Sequence, residues 1–182
     1  MIFSPTPIAG AFLLATENFI DERGVFARIF CADEFAKAGL PTIFAQQSLS
    51  WNIKAGTLRG MHYQSAPYQE EKLVRVSRGA AFDVIVDLRP DSPSFKQWFG
   101  TELSAENRQQ IFIPKGVAHG FQTLCPGTEL VYQMTMPYHP QSARGVRWND
   151  PAFGICWPLE DLTISPKDME YPDFPKHSRR LS

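Results

Sequence analysis

The sequence predicts an all-β fold, a sandwich or barrel, and three observations point to it. Ten short runs rich in β-branched and aromatic residues recur between turn signals along most of the 182 residues. A single short segment carries the start and stop signals of a helix. Aromatic residues make up 13% of the chain and are spread along those runs, as core filling requires, rather than gathered into one box.

The elements follow in order. Strands are expected at 11–16 and 25–30, and then comes the helix at 33–38, opened by Asp33 and closed by Gly39. Strands at 44–51, 57–63, 72–77 and 80–87 come next, with Arg78-Gly79 read as a hairpin turn between the last two. Arg89-Pro90-Asp91-Ser92-Pro93 is a turn in which two prolines stop the ladder. Strands at 97–103, 110–113, 118–123 and 130–134 complete the set. Beyond them the prolines crowd, at Pro137, Pro140, Pro151, Pro158, Pro166, Pro172 and Pro175. The last quarter is therefore expected to be an irregular wrap over the barrel, and residues 1–182 a single domain.

Charge and cysteine content exclude several classes. A net charge of −1 and a pI near 6.4 give no electrostatic footprint for nucleic acid, and the basic cluster at 176–180 reads as a solvated tail. Cys31, Cys125 and Cys156 are odd in number and show no CxxC spacing, which argues against a disulfide framework or a structural zinc site. That usage fits a reducing, cytoplasmic setting. No apolar run approaches the ~18 residues a membrane helix needs, and the first ten residues lack a leader pattern, so no membrane partner is expected.

Chemistry concentrates in two segments. Leu58-Arg59-Gly60-Met61-His62-Tyr63-Gln64 puts a cation and an imidazole three residues apart on one strand. Strict alternation would turn Leu58, Gly60, His62 and Gln64 to one face and Arg59, Met61 and Tyr63 to the other. Ile113-Pro114-Lys115-Gly116-Val117-Ala118-His119-Gly120-Phe121 sets a second histidine among apolar residues, and Lys72 and Tyr132 lie on other strands. A barrel interior would bring the four together. A neutral imidazole can take a proton from carbon next to a carbonyl if a fixed cation stabilises the enolate, and a phenol can return a proton from the opposite side. Paired histidines in a β-barrel also raise a metal-dependent cupin. Pro114-x-Gly116-x-x-His119 resembles the second cupin motif, but His62-Tyr63-Gln64 supplies one imidazole and an amide where the first motif has His-x-His, a poor ligand set for zinc or iron. A barrel that holds its ligand without transforming it is the other alternative, and it would have no use for an acid–base set.

Taken together, these blocks resemble the dTDP-4-dehydrorhamnose 3,5-epimerase family. The resemblance runs from Asp21-x-Arg23-Gly24-x-Phe26 through the two histidine segments, Lys72-Leu73-Val74-Arg75-Val76, Phe82-Asp83-Val84-Ile85-Val86-Asp87-Leu88-Arg89 and Trp148-Asn149-Asp150-Pro151 to Ser165-Pro166-Lys167-Asp168. It implies a cupin-type jelly-roll barrel that is homodimeric, free of metal and cofactor, and acts on a nucleotide-linked 4-keto-6-deoxysugar. By the same resemblance His62 is the base, Asp168 its support, Tyr132 the proton donor and Lys72 the enolate stabiliser. Arg23, Arg59, His119, Tyr138 and Lys167 would contact substrate. Three positions depart from the family pattern: Arg28 stands for a glutamate, Gln46-Gln47-Ser48 for Gln-Asp-Asn, and Ala143 for a glutamate. All are substrate-contact positions, so retained chemistry with altered recognition is expected.

Overall fold

A computed structural model describes residues 1–175; the basic cluster at 176–180 lies outside them. The chain opens with β1 (Ile2–Pro5), β2 (Phe12–Ala15), β3 (Asn18–Asp21), β4 (Gly24–Ala27) and α1 (Ala32–Lys37). β5 (Gln46–Asn52), β6 (Thr57–Gln64), β7 (Lys72–Arg78), β8 (Ala80–Asp87) and β9 (Trp98–Ser104) follow. β10 (Gln110–Ile113), β11 (Val117–Thr123), β12 (Thr128–Met134), β13 (Ala143–Gly145), β14 (Thr163–Ile164) and α2 (Pro166–Met169) complete it. One sheet runs β1-β2-β10-β7-β12-β5 and a second β13-β6-β11-β8-β9, with β14 joined parallel to β6. Every other pairing is antiparallel. The strand spacing predicts an all-β sandwich or barrel, and the two facing sheets agree with the jelly roll that the family resemblance implies.

Alternation fills the space between the sheets. Val74 and Val76 of β7, Ala81 and Ile85 of β8, Val117 and Phe121 of β11 and Leu130 of β12 meet in one buried cluster with Ile8, Leu103 and Ile111. Each fully buried side chain of this size is worth about 1.5–3 kcal/mol. The same parity carries polar residues inward at one end: Lys72 shares a face with Val74, Asp83 with Ile85, His119 with Phe121, and Tyr132 with Leu130. Tyr132 packs against the cluster.

Four expectations are corrected. Arg78-Gly79 is not a hairpin turn, because β7 and β8 belong to different sheets; Gly79, at φ +77°, is the corner where the chain crosses between them. A Cβ there would sit 2.5 Å from Thr128 Oγ1, so the corner has room for glycine alone. The expected strand 25–30 ends at Ala27 and joins neither sheet; β3 and β4 form a separate ribbon, Asn18 opposite Ala27. α2 was unforeseen although its signals are plain: Ser165 accepts from the backbone N–H of Asp168, and Pro166 sits in the first turn. Lastly, β6 does not alternate throughout. His119 pairs with His62 and Phe121 with Arg59, so two steps on β11 span three on β6. That bulge puts Arg59 and His62 on the same inward face, while Met61 packs outside with Val84, Val86 and Ala118. Gly60, at φ +144°, and Gly120 make it possible: a Cβ on Gly60 would lie 2.6 Å from Gly120 Cα.

No helix among the described residues is long and apolar enough to cross a membrane.

Candidate active site

At the polar end of the barrel two adjoining cavities, of about 420 and 520 Å³, share His62, Lys72 and Tyr132. Gln46, Ser48, Gln64, Glu70, Tyr138, Arg144, Lys167 and Tyr171 line the first, and Arg59, His119, Phe121 and Trp51 are among those lining the second. The size suits a ligand larger than a lone hexose.

The imidazole of His62 is fixed from both sides. Its Nε2 lies 2.7 Å from Asp168 Oδ1, and the Tyr171 ring meets it edge-on with centroids 5.9 Å apart. Burial by itself would push Asp168 up. The hydrogen bond and attraction of His62, the Gly60 N–H and Ser165 outweigh it and hold the carboxyl below the usual carboxylate range. An ionised Asp168 only accepts, so His62 Nε2 is the donor of this bond, and in the neutral ring that tautomer leaves the lone pair on Nδ1. α2 is the element that delivers this carboxylate, across 106 residues of chain.

A second histidine–carboxylate pair lies deeper. His119 Nε2 is 2.8 Å from Asp83 Oδ2, and Asp83 is 0% exposed with Oδ1 unpartnered. The Tyr132 ring meets His119 edge-on at 5.9 Å. Burial pushes the Tyr132 phenol far up, the Asp83 charge adds to that, and Arg59 opposes it. The phenol therefore stays protonated throughout the working pH range. Arg59 is steadied by a 2.9 Å bond from Nε to Asn52 Oδ1.

Lys72 points its ammonium into the shared region, 3.1 Å from Glu70 Oε1 and 3.5 Å from the His62 carbonyl. Gln64, weighed from sequence as a metal ligand, is committed elsewhere: its amide donates to Glu70, Tyr68 O and Pro137 O and accepts from the His139 N–H. Among the described residues no three His, Cys, Asp or Glu side chains converge as a metal site.

Of the residues singled out from sequence, His62, Lys72, Tyr132, Asp168, Arg59, His119, Gln46, Ser48, Tyr138 and Lys167 come together here, as does Ala143. Gln47 does not. It opposes Gln133 in the register and lines a separate small cavity with Leu73, Arg75 and Val131, because it is one residue out of phase with Gln46 and Ser48. Arg23 and Arg28 are also elsewhere in the single chain. Arg23 is tied to Asp21 at the tip of the β3–β4 ribbon, and Arg28 pairs with Glu34 at 2.8 Å beside Phe19 and Phe26. Asp83 and Glu70 were missed. Asp83 had a legible signal, a lone carboxylate in phase with the inward Ala81 and Ile85; Glu70 sits in a loop with no periodicity to read.

Residues 5–176 match the family model for dTDP-4-dehydrorhamnose 3,5-epimerase. The Escherichia coli (strain K12) dTDP-4-dehydrorhamnose 3,5-epimerase is 45% identical over 165 residues, 90% of this chain and 89% of its own. The crystal structure of the Bacillus anthracis str. Ames dTDP-4-dehydrorhamnose 3,5-epimerase with TDP and PPi bound is 41% identical, with a TM-score of 0.92 over 95% of this chain and 99% of that one. The dTDP-6-deoxy-D-glucose-3,5-epimerase of Legionella pneumophila, in complex with dTDP-4-keto-L-rhamnose, is 40% identical, with a TM-score of 0.86 over 92% and 89% of the two chains.

Proposed function

The chain belongs to the dTDP-4-dehydrorhamnose 3,5-epimerase family, and on that premise we propose how its cleft carries out the epimerisation of a nucleotide-sugar at C3 and C5. The protein is an isomerase of the nucleotide-sugar epimerase class. Its substrate is a nucleotide-linked 4-keto-6-deoxyhexose. His62 Nδ1 takes the proton from the carbon beside the ketone, the C–H electron pair forms the C=C bond, and the carbonyl oxygen becomes an enolate. The Lys72 ammonium faces that oxygen and lowers the barrier as charge develops on it. Tyr132 delivers its phenolic proton to the opposite face, and solvent then restores both residues. Arg59 and Lys167 pair with the diphosphate, and His119, Gln46, Ser48 and Tyr138 contact sugar and base.

The observation that carries this reading is the opposition of two kinds of group across one shared cavity: an imidazole held by an ionised carboxylate, and a phenol held protonated by burial and the Asp83 charge. A base and an acid poised in this way are what inversion through an enolate requires.

A homodimer accounts for Arg23. The β3–β4 ribbon joins neither sheet, yet Phe19, Ile20 and Phe26 on it are 69%, 74% and 75% exposed, and β5, an edge strand, exposes Leu49 and Trp51. Apolar groups on an unsupported ribbon find cover on a second copy, and a ribbon reaching across brings Arg23 to the other protomer's cleft.

The test incubates dTDP-, UDP-, CDP- and GDP-linked 4-keto-6-deoxysugars with the protein in deuterium oxide and locates the label by NMR. Deuterium at C3, C5 or both, with inversion, is expected for at least one member and is expected to persist in excess chelator. Label in none of them would overturn the reading.

A further inference from the structure

We propose that Glu70 is a positioning residue for the reaction, one that fixes the Lys72 ammonium against the enolate oxygen; this rests on the role given to Lys72 above. A carboxylate is out of place on the wall of a cleft that receives an anionic ligand, and it repels that ligand unless it is neutralised at close range. Glu70 is so neutralised. Its Oε1 lies 3.1 Å from Lys72 Nζ, and the two side chains are only 9% and 12% exposed. The other oxygen accepts from Gln64 Nε2 at 2.8 Å, and Gln64, 3% exposed, is itself pinned by two backbone carbonyls and the His139 N–H.

The consequence is a relay of fixed geometry running from Gln64 through Glu70 to Lys72 and on to the His62 carbonyl. A lysine side chain has four rotatable bonds and a strongly hydrated head, so by itself it is a poor instrument for a transition state that needs charge at one spot. Held between the Glu70 carboxylate at 3.1 Å and the His62 carbonyl at 3.5 Å, Nζ is left a direction into the cavity that holds His62 and Tyr132. Glu70 acts on the rate by setting that direction, whereas ligand binding rests on other cations in the cleft.

The test is a double-mutant cycle with Glu70→Gln and Lys72→Met, read as the rate of solvent deuterium exchange into the best nucleotide-sugar substrate and as the Kd for dTDP. Glu70→Gln is expected to slow exchange about tenfold or more while the Kd moves less than about threefold. In the Lys72→Met background the same change should alter exchange less than about twofold. It should also raise the thermal midpoint above that of Lys72→Met alone, because it removes a buried carboxylate left without its partner. Glu70→Asp, which keeps the charge on a shorter arm, should fall between Glu70→Gln and the parent. An equal slowing in both backgrounds, a Kd that weakens as much as the rate, or exchange within twofold of the parent in Glu70→Gln would each overturn the inference. If Lys72→Met itself exchanges normally, the assignment of Lys72 fails along with it; if Lys72→Met is slow and Glu70→Gln is not, Glu70 alone is refuted.

Discussion

In the proposed mechanism His62 and Tyr132 occupy opposite ends of one proton transfer, and separate substitutions take the two ends apart. His62→Ala removes the imidazole bonded to Asp168 and should lower exchange by roughly a hundredfold to ten-thousandfold while nucleotide binding persists; near-native exchange would mean that another group is the base. Asp168→Asn should cost less, since an amide can still bond the ring, and it should also change the response to acid. The folded-state pKa of Asp168 is depressed, so its stabilising contribution is present above the unfolded value near 4 and is lost as pH falls through the folded value. The stability gap between parent and Asp168→Asn, measured by urea unfolding, should therefore be widest at neutral pH and close in acid. Tyr132→Phe keeps the ring packed on His119 and deletes the donor. It should still admit deuterium into unchanged substrate yet form little epimer; equal loss of both would make the phenol a holder of geometry. Much of this set was legible because His62, Lys72, His119 and Tyr132 are chemistry-bearing residues on apolar strands. Asp168 was reachable only through the family resemblance, since nothing local links it to a histidine 106 residues away.

β6 shows where local rules stop. Period-two alternation gives its length to within one residue but assigns Arg59 and His62 to opposite faces, and a single extra residue opposite Gly120 reverses that. The signal was present as two glycines, Gly60 and Gly120, one on each facing strand. Their meaning lies in an approach between strands that one segment cannot reveal. Gly60→Ala should be costly for two reasons: the φ of +144° is one that alanine resists, and the new Cβ would meet Gly120 Cα at 2.6 Å. Strain of this kind is worth about 1–3 kcal/mol, and relieving it by opening β6 from β11 moves the base relative to Lys72. The variant should therefore lose stability in denaturant titration and lose exchange more than nucleotide affinity. Wild-type stability with full exchange would show that the bulge has slack. α2 failed to be foreseen for a different reason, being four residues long and buried in a proline-rich stretch that reads as irregular even though Ser165 and Pro166 mark its start.

At the scale of the whole molecule the residue assignments and the single chain disagree at Gln47, Arg23 and Arg28, and for Arg23 the disagreement has a direction. Arg23 belongs by family pattern with the diphosphate-binding cations, yet it sits at the tip of a ribbon whose strands bond only to each other. The sequence could not have separated these roles, because an apolar run such as Val25-Phe26-Ala27 looks the same whether it covers its own core or another protomer's. If the ribbon crosses, the cleft is composite, and two impaired variants can repair each other. A dimer mixed from His62→Ala and Arg23→Ala chains has one cleft with both defects and one with neither. Random exchange of protomers makes half the dimers mixed, each with one intact cleft of two, so the mixture should recover roughly a quarter of parental activity. Arg23→Ala by itself should weaken use of substrate about tenfold or more, the scale of a lost charge-assisted bond. Were the ribbon to fold back onto its own cleft, every mixed dimer would hold one cleft without its base and one without its arginine. Activity would then not exceed the mean of the two separate variants, and the composite cleft would be excluded.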